Sequence, residues 1–385
     1  MRSLQVTKWI TLASLSYSAI AQIKIPSNGP YSVSISTAKL TDPTRIDPWD
    51  PNNGTRSIMT SLFYPIPKSS CRKHCSTPYM SGLTASVVEQ TAGLPNGTAS
   101  AFQLDTCCKV SSRRPNPSTI PLVIFSHGLG SSRFLHSAQI QALAASGYAV
   151  LAIDHPYDAV VVEFPNDPPV YGTLAGKLAS NPGLIPIGAR LRAADVTFAL
   201  NELSKRKVVS LFLPGATCAF NTKRATVFGH SYGGTTSILA LTSDSRLIGG
   251  FDMDGAIQGF GESSRTKKPV ILAGTSVHNS TTDSSWRTYW PRLEGYKREF
   301  DIQQTGHYVY TDAPVLVALA GLTPPPGLGS QLGELGSTRG RYVFDAIVSL
   351  LKDFMDFSFK GVESDLLKNP GTVFPEVVDV EHDSL

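Results

Sequence analysis

The stretch Val227–Thr236, VFGHSYGGTT, decides the fold of this chain, because it places Ser231 in a tight bend between two kinds of sequence. The run ATVF before the bend favours a strand, and the run TTSILAL after it favours a helix. Gly229 and Gly233 remove two Cβ atoms from the bend, which lets two backbone segments pass close together. G-x-S-x-G between a strand and a helix is typical of a strained turn that presents a nucleophilic serine. A plain strand-turn-helix corner is the alternative.

The alternation of short apolar runs with longer helical runs continues on both sides of this bend. YSVSISTAKL and RSIMTSLFYPI predict two early strands, and IPLVIF, YAVLAI, LIGGFDM and PVILAG predict buried strands. HSAQIQALAASG, ARLRAADVTFALNEL and RYVFDAIVSLLKDFM predict helices. Short strands that alternate with longer helices indicate parallel β-α-β units. We therefore predict an α/β fold with a mostly parallel central sheet and helices on both faces.

Length and composition suit one large catalytic domain. The chain has 385 residues, of which 41% are hydrophobic and 17% are charged, so it can bury a sizeable core. We expect a single domain over residues 22–370, with a cysteine-rich surface excursion at 68–117, a candidate lid at 156–188 and an acidic tail at 371–385. The formal net charge of +4, without a basic stripe, gives no support to nucleic-acid binding.

Residues 1–21 read as a secretory signal peptide. Arg2 and Lys8 give a positive start, and the apolar run Trp9–Ala21 is too short to span a bilayer. The run ends in an A-x-A pattern, so we expect Gln22 to begin the mature chain; an ordinary first helix is the alternative. No later segment reads as a transmembrane span. The sequence predicts a secreted, extracellular protein.

Five cysteines and three glycosylation sequons fit an oxidising, extracellular setting. The cysteines are Cys71, Cys75, Cys107, Cys108 and Cys218. They predict two disulfides and one free thiol, with the pairing left open. Zinc at Cys71 and Cys75 is the alternative, although no second matched pair follows. The sequons begin at Asn53, Asn96 and Asn279.

A serine nucleophile needs a base that takes its proton and an acid that orients the base. In a fold of this kind the chain order is serine, acid, histidine. His307 lies in a glycine-led loop, QQTGHYVYTD, and is the predicted base. His278, which follows a predicted strand, is the alternative, and His382 belongs to the acidic tail.

The predicted acid is Asp254, which closes the strand LIGGFDM. Ligand sites in open α/β sheets gather at the carboxyl ends of the strands. Asp283, some way beyond the next strand, is the alternative acid. Asp252 would lie inside its strand, where a hydrogen-bonded structural carboxylate is the simpler reading.

The oxyanion that forms on attack needs N–H donors already in place. We predict the backbone N–H of Tyr232, directly after the serine, and that of Leu129, in the loop SHGLG. His127 is expected to orient this loop rather than react.

Access to the site is open to two readings. The run APVLVALAGL after His307 predicts either an apolar rim that meets a lipid aggregate or a buried core helix. Trp286 and Trp290 predict either walls of an acyl pocket or core packing.

The motifs FSHGLGSSR, GHSYGG, FDMDG and GHYVYTD together resemble the secreted, fungal-type branch of the platelet-activating factor acetylhydrolase family. The resemblance covers roughly Tyr31 to Phe357, and the excursion and the sequon at Asn279 are additions to the family pattern. It implies an α/β-hydrolase fold and the triad Ser231, Asp254 and His307. It also implies calcium-independent hydrolysis of the sn-2 acetyl or short acyl ester of a phospholipid, without a cofactor or metal ion.

The expected partner is thus a small-molecule ester or phospholipid substrate, met in solution or at a lipid interface. A generic secreted carboxylesterase or polyester hydrolase would use the same machinery. A non-catalytic binding module on the same fold is the alternative from another class.

Overall fold

The structure, a computed structural model, describes residues 22–111, 115–261 and 264–383; the predicted signal peptide at 1–21 lies outside the described residues. The strands, in chain order, are β1 Ile23–Ile25, β2 Tyr31–Ile46, β3 Thr55–Pro67, β4 Cys71–Pro78, β5 Phe102–Val110, β6 Leu122–Ser126, β7 Ala149–Asp154, β8 Val161–Val162, β9 Val170–Tyr171, β10 Ala225–His230, β11 Leu247–Met253, β12 Val270–Thr275, β13 Lys297–Ile302 and β14 Val377–Asp383. The α-helices are α1 Gly82–Ala92, α2 Ser137–Ala145, α3 Leu174–Ser180, α4 Ile185–Leu203, α5 Arg206–Phe212, α6 Tyr232–Ser243, α7 Ser284–Tyr289, α8 Ala313–Ala320, α9 Pro326–Thr338, α10 Gly340–Lys360 and α11 Asp365–Lys368. Among the described helices, none is long and apolar enough to cross a bilayer.

One sheet organises the molecule, with strand order β14-β13-β12-β11-β10-β6-β7-β3-β2. The strands from β13 to β7 in that order pair in parallel, and β14, β3 and β2 add antiparallel pairs at the two edges. Strands β6, β10 and β12 are buried throughout, as expected for parallel strands that are covered on both faces. The predicted α/β fold with a mostly parallel sheet is confirmed.

Two apolar cores cover the two faces of the sheet. Along β6, Val123 and Phe125 belong to one core and Leu122 and Ile124 to the other, because successive side chains of a strand point to opposite faces. The first core includes the inner faces of α2 and α10, and the second includes those of α4 and α6. Strand β10 lies between β6 and β11, so the bend that follows it opens at the middle of the sheet edge.

Strands β13 and β14 are not anticipated by the sequence analysis. Strand β13, KREFDI, has four charged residues among its six, a composition that does not predict a strand, although all six residues are buried. The segment predicted as an acidic tail, 371–385, instead supplies β14, which pairs antiparallel with β13. Arg298 of β13 forms ion pairs of 2.8 Å with Asp379 and with Glu363. The acidic end of the chain is therefore held by a basic side chain of the sheet.

The cysteine-rich excursion folds onto the body of the protein. Strands β1, β5 and β4 form a three-stranded sheet, and disulfides join Cys71 to Cys107 and Cys75 to Cys108. These are the two predicted disulfides, and Cys218 is the free thiol. Cys71 and Cys75, the alternative zinc ligands, are both part of a disulfide. Phe102 of β5 packs in the same core as the central strands.

The three predicted sequons differ in accessibility. Asn53 and Asn96 are exposed. Asn279 is only 8% exposed, and its Nδ2 donates to Asp301 Oδ2 at 2.7 Å. The side-chain amide nitrogen of Asn279, the atom that a glycan would modify, is thus buried and hydrogen-bonded within the fold.

Candidate active site

Ser231 lies at the turn between β10 and α6 with φ 57° and ψ −123°. A non-glycine residue in this region costs on the order of 1–3 kcal/mol and persists only where its surroundings enforce it. The backbone N–H of Ser231 donates to Met253 O at 2.8 Å, and its carbonyl accepts from Gly234 N at 2.8 Å. Strand β11 and helix α6 therefore hold the serine in its strained conformation.

The two glycines of the bend are required by close backbone contacts. A Cβ on Gly229 would lie 2.7 Å from Ser126 O, and a Cβ on Gly233 would lie 2.7 Å from His127 O. Real Cβ atoms do not approach that closely, so any larger residue would push the loop after β6 away from Ser231. The predicted close passage of two segments is present.

Asp254 and His307 are in direct contact at the same edge of the sheet. His307 Nδ1 donates to Asp254 Oδ2 at 2.5 Å, since an ionised carboxylate only accepts. Asp254, directly after β11, is 4% exposed and also has a positive φ, of 61°. His307 begins a short 3₁₀ turn and lines a cavity of about 280 Å³ together with Ser231. The structure thus brings all three predicted residues to one site.

The two alternative residues lie directly behind Asp254. His278 Nδ1 is 2.9 Å from Asp254 Oδ1, and His278 Nε2 is 2.8 Å from Asp283 Oδ2. Burial opposes ionisation of Asp254, yet hydrogen bonds from His278 and His307 offset this and hold its pKa below the usual range. Asp254 therefore lies between two imidazole rings, and of these His307 is the one that lines the cavity.

His230, which precedes Ser231, contacts the predicted base His307, and the sequence analysis does not anticipate this contact. Its ring is buried, and burial lowers its pKa well below the usual range, so the ring is neutral. His230 Nε2 donates to the carbonyl of His307 at 3.0 Å, and the two ring centroids are 4.6 Å apart. Its position inside the GHSYGG motif is the signal that points to it. His382 lies on edge strand β14, opposite Arg298.

The two predicted oxyanion donors flank Ser231. Tyr232 is the first residue of α6, where backbone N–H groups have no partner within the helix. Leu129 lines the cavity next to Ser231. Within the described parts of the chain, neither Leu129 N–H nor Tyr232 N–H has a hydrogen-bond acceptor. Both are thus available to a developing negative charge.

The peptide that carries the Leu129 N–H is held through its own carbonyl, that of Gly128. His127 Nδ1 donates to Gly128 O at 2.6 Å, and His127 Nε2 accepts from the backbone N–H of His155 at 3.3 Å. Burial lowers the pKa of His127 well below its usual range, consistent with this neutral tautomer. Because a peptide is planar, fixing the carbonyl fixes the direction of the N–H. His127 thus contacts the loop that it was predicted to orient.

Arg192 of α4 is a second hold on this loop, and the sequence analysis missed it. Its Nη1 donates to His127 O at 2.5 Å, and its Nη2 lies 3.4 Å from Gly128 O. The guanidinium also pairs with Asp158 through Nε at 2.6 Å and stacks 4.6 Å from the centre of the Tyr232 ring. One buried cation therefore contacts both segments that carry the predicted oxyanion donors.

The sequence is similar to that of known acetylhydrolases and esterases. Residues 18–167 match the family model described as platelet-activating factor acetylhydrolase, isoform II. A probable 1-alkyl-2-acetylglycerophosphocholine esterase of Arthroderma benhamiae is 29% identical over 375 residues, which cover 91% of this chain and 92% of that protein. These matches confirm the predicted resemblance to the platelet-activating factor acetylhydrolase family.

Two further proteins are similar to this chain, one in sequence and one in fold. A platelet-activating factor acetylhydrolase of Cavia porcellus is 24% identical over 254 residues, covering 60% of this chain and 55% of that protein. A solved structure of a ferulic acid esterase from Streptomyces cinnamoneus superposes with a TM-score of 0.77 at 29% identity. It covers 94% of this chain and 100% of its own. This hydrolase neighbour confirms the predicted α/β-hydrolase fold.

The cavity beside Ser231 is mainly apolar, and the cysteine-rich excursion builds one wall of it. The excursion residues that line it are Tyr79, Met80, Val88, Thr91, Ala92, Leu94, Thr98, Ala99 and Phe102. Val160 comes from the candidate lid, 156–188. None of the described lining residues is Asp, Glu, Lys or Arg. The cavity therefore suits a neutral, apolar part of a substrate.

Helix α8 contributes to both the cavity and the core. Leu316 and Val317 line the cavity, while Val315 is buried. Contact of this helix with a lipid aggregate stays a prediction. Trp286 and Trp290 are 0% and 7% exposed and belong to the core behind the sheet. Trp286 Nε1 donates to Gly255 O at 2.7 Å, which supports the turn that follows Asp254.

Proposed function

We propose that this chain is a secreted serine esterase that hydrolyses the sn-2 acetyl or short acyl ester of phospholipids without calcium. The chain is a carboxylic ester hydrolase of the platelet-activating factor acetylhydrolase type. The triad, the substrate and the compartment are our proposals. The contact of Asp254 with His307 beside a strained Ser231 carries the catalytic assignment.

The first step is acylation. His307 Nε2 takes the proton of the Ser231 hydroxyl while its oxygen attacks the ester carbonyl carbon. Asp254 holds the proton on Nδ1 and stabilises the imidazolium, and the N–H groups of Leu129 and Tyr232 bind the oxyanion. The carbonyl re-forms, the ester C–O bond breaks, and His307 returns the proton to the leaving alcohol oxygen. Ser231 is left as an acyl ester.

The second step is deacylation. His307 takes a proton from water, whose oxygen attacks the acyl carbon of the Ser231 ester. The same two N–H groups bind the second oxyanion. His307 then protonates the Ser231 oxygen as the bond to the acyl group breaks. The products are a short-chain acid and the free enzyme, with no net change in the protein.

A fluorophosphonate probe tests the nucleophile in the folded protein. We expect labelling of the wild type and none of Ser231→Ala. Ser237→Ala, on the helix that follows Ser231, is a matched control, because its hydroxyl is buried and donates to Gly233 O at 2.9 Å. Equal labelling of Ser231→Ala and the wild type would show that another residue is the nucleophile. An unlabelled wild type would favour a non-catalytic module.

Hydrolysis of three esters tests the substrate. The purified enzyme is compared on an sn-2 acetyl phospholipid, an sn-2 long-chain phospholipid and a simple aryl acetate, with Ser231→Ala as the blank. We expect the highest kcat/KM on the sn-2 acetyl phospholipid. A chelator should leave the rate unchanged, and a loss that only calcium restores would overturn the calcium-independent reading.

A carboxylesterase for aryl or other simple esters is the second candidate. It is favoured by the absence of charged side chains among the described cavity residues, since the cavity then offers nothing to a charged headgroup. The ferulic acid esterase neighbour points the same way. High activity on the aryl acetate alone would decide for this candidate.

Secretion is supported by the two disulfides, which form and persist in oxidising compartments. N-terminal sequencing of the protein from the culture medium of an expressing eukaryotic cell should begin at Gln22. Retention of the full-length protein inside the cell would contradict the proposal.

A further inference from the structure

His278 links the predicted acid to a second carboxylate. Its Nδ1 lies 2.9 Å from Asp254 Oδ1, and its Nε2 lies 2.8 Å from Asp283 Oδ2. Asp254 uses its other oxygen, Oδ2, for His307. The contacts form one continuous series from Asp283 through His278 and Asp254 to His307.

The hydrogen bonds determine the protonation of His278. Ionised carboxylates accept hydrogen bonds and cannot donate them, so both ring nitrogens of His278 must carry protons. The ring is therefore an imidazolium. Burial opposes this charge, but the hydrogen bonds and charges of Asp254 and Asp283 outweigh it and raise the pKa of His278 to about 10.

The surroundings of His278 are strongly acidic. The carboxylates that act on it are Asp252 within β11, Asp254 directly after β11, Asp283 at the start of α7, and Glu299 and Asp301 of β13. The nearby cation Arg287, on α7, donates to the carbonyls of Ser280 and Thr281 in the loop that carries His278. His278 thus contacts Asp254 Oδ1, the carboxylate oxygen that His307 does not use.

The loop that carries His278 is fixed by the sheet. The backbone N–H of Ser280 donates to Glu299 Oε1 at 2.8 Å, and Asn279 Nδ2 donates to Asp301 Oδ2 at 2.7 Å. The His278 ring packs 5.0 Å from that of Trp286, and its side chain is 25% exposed. A ring held at this number of points has one orientation toward Asp254.

We propose that His278 is a positioning residue for the reaction: its protonated ring anchors one oxygen of Asp254 and balances part of its charge. This rests on the proposed triad. Asp254 has a strained backbone, with φ 61°, so its carboxylate needs an external hold to present Oδ2 to His307. The charge of His278 also limits how strongly Asp254 favours the protonated form of His307, which must be neutral to act as a base.

Two substitutions test the charge with opposite signs. His278→Gln removes a positive charge near His307, so the acid limb of the kcat/KM profile moves to higher pH. Asp283→Asn removes a negative charge and leaves His278 in place, so the acid limb moves to lower pH. Each shift should be on the order of one pH unit or less, the size expected for a partly buried charge at this range.

The measurement is the pH dependence of kcat/KM on a soluble aryl acetate for the wild type and both variants. We also expect kcat of His278→Gln to fall about tenfold with little change in KM, because the acid is less well oriented. Asp244→Asn is the control, since it removes a carboxylate that pairs with Arg246 away from the site. Its acid limb should not move.

The outcomes separate this inference from the proposed function. A wild type that is inactive and unlabelled by fluorophosphonate defeats the proposed function. An active wild type whose acid limb stays in place in both variants, or moves the same way in both, defeats the role of His278. If a variant does not fold, nitrogen NMR of the wild type decides: both His278 ring nitrogens should stay protonated at pH 8, and a neutral ring there overturns the proposal.

Discussion

Replacing Arg192 should damage catalysis without removing any group that touches the substrate. The guanidinium is 1% exposed and holds two consecutive carbonyls, those of His127 and Gly128. The second carbonyl belongs to the peptide whose N–H, on Leu129, is the predicted oxyanion donor. Arg192→Met keeps an apolar stem of similar length and removes every donor.

The expected fall in kcat of Arg192→Met depends on the hydrogen bonds that still hold the Gly128 carbonyl. Complete loss of one oxyanion donor typically lowers kcat about 10²–10³-fold. The 2.6 Å hydrogen bond from His127 to Gly128 O survives the substitution, so the peptide is loosened and not freed. We therefore expect kcat to fall about 10–100-fold, below the full effect of a lost donor, with KM changed little.

Stability must be separated from activity. Arg192→Met alone leaves Asp158 buried and unpaired, which typically costs about 3–5 kcal/mol of unfolding free energy. The double variant Arg192→Met/Asp158→Asn removes that orphaned charge and should recover much of the stability. Its kcat should stay low, because the hold on the oxyanion loop is still missing.

The assay combines urea unfolding with steady-state hydrolysis of a soluble aryl acetate. Arg246→Met/Asp244→Asn is the matched control, since it removes another two-point Arg–Asp pair away from the site. The control should keep the wild-type kcat. If the folded Arg192→Met/Asp158→Asn protein retains kcat within about threefold of the wild type, the link between Arg192 and the oxyanion donor is refuted.

Three further predictions follow from the site, the sheet and the excursion. Asp283 has its pKa lowered to about 2, against burial, by hydrogen bonds from His278 and Ser285. It therefore stabilises the fold above about pH 4, and urea curves of wild type and Asp283→Asn should converge as the pH falls toward 2. Removing one disulfide with Cys71→Ser/Cys107→Ser should lower stability by about 2–4 kcal/mol and raise KM more than it lowers kcat, because the excursion walls the cavity; an unchanged KM would count against that wall. Mass spectrometry of protein from eukaryotic cells should find glycans at Asn53 or Asn96 and none at Asn279, whose amide is buried; a glycan at Asn279 would contradict this fold of the loop.

The parts of the fold that follow local rules could be predicted from the sequence. Gly229 and Gly233 mark the bend because no Cβ fits between it and the loop after β6. Short apolar runs in the sequence predict the parallel strands, since both faces of each strand are buried. Asp254 could be preferred to Asp283 because it ends a strand next to the one that carries Ser231.

The parts that depend on distant charge pairs could not be predicted in the same way. Arg192 reads as one more polar residue on an amphipathic helix, and its partners lie in the loop after β6, far away in the chain. Strand β13 looks too charged to be buried, because Arg298 is paired with residues near the end of the sequence. The sequence offers His278 and Asp283 as alternatives for the single roles of base and acid, whereas the structure joins both to Asp254 in one series of contacts.

These ion pairs share one placement, behind the groups that would touch an ester. Arg192 and Asp158 lie behind the oxyanion loop, and His278 and Asp283 lie behind Asp254. The front of the site is apolar and, among its described lining, free of charged Asp, Glu, Lys and Arg side chains. Donors that are fixed before the reaction stabilise a developing charge without reorganising, and they act more strongly where water is excluded. Ser231 and Asp254, both with positive φ, need such rigid support to stay in place. The apolar cavity therefore admits a neutral ester, and the ion pairs behind it hold the N–H donors in position for the negative charge that forms during the reaction.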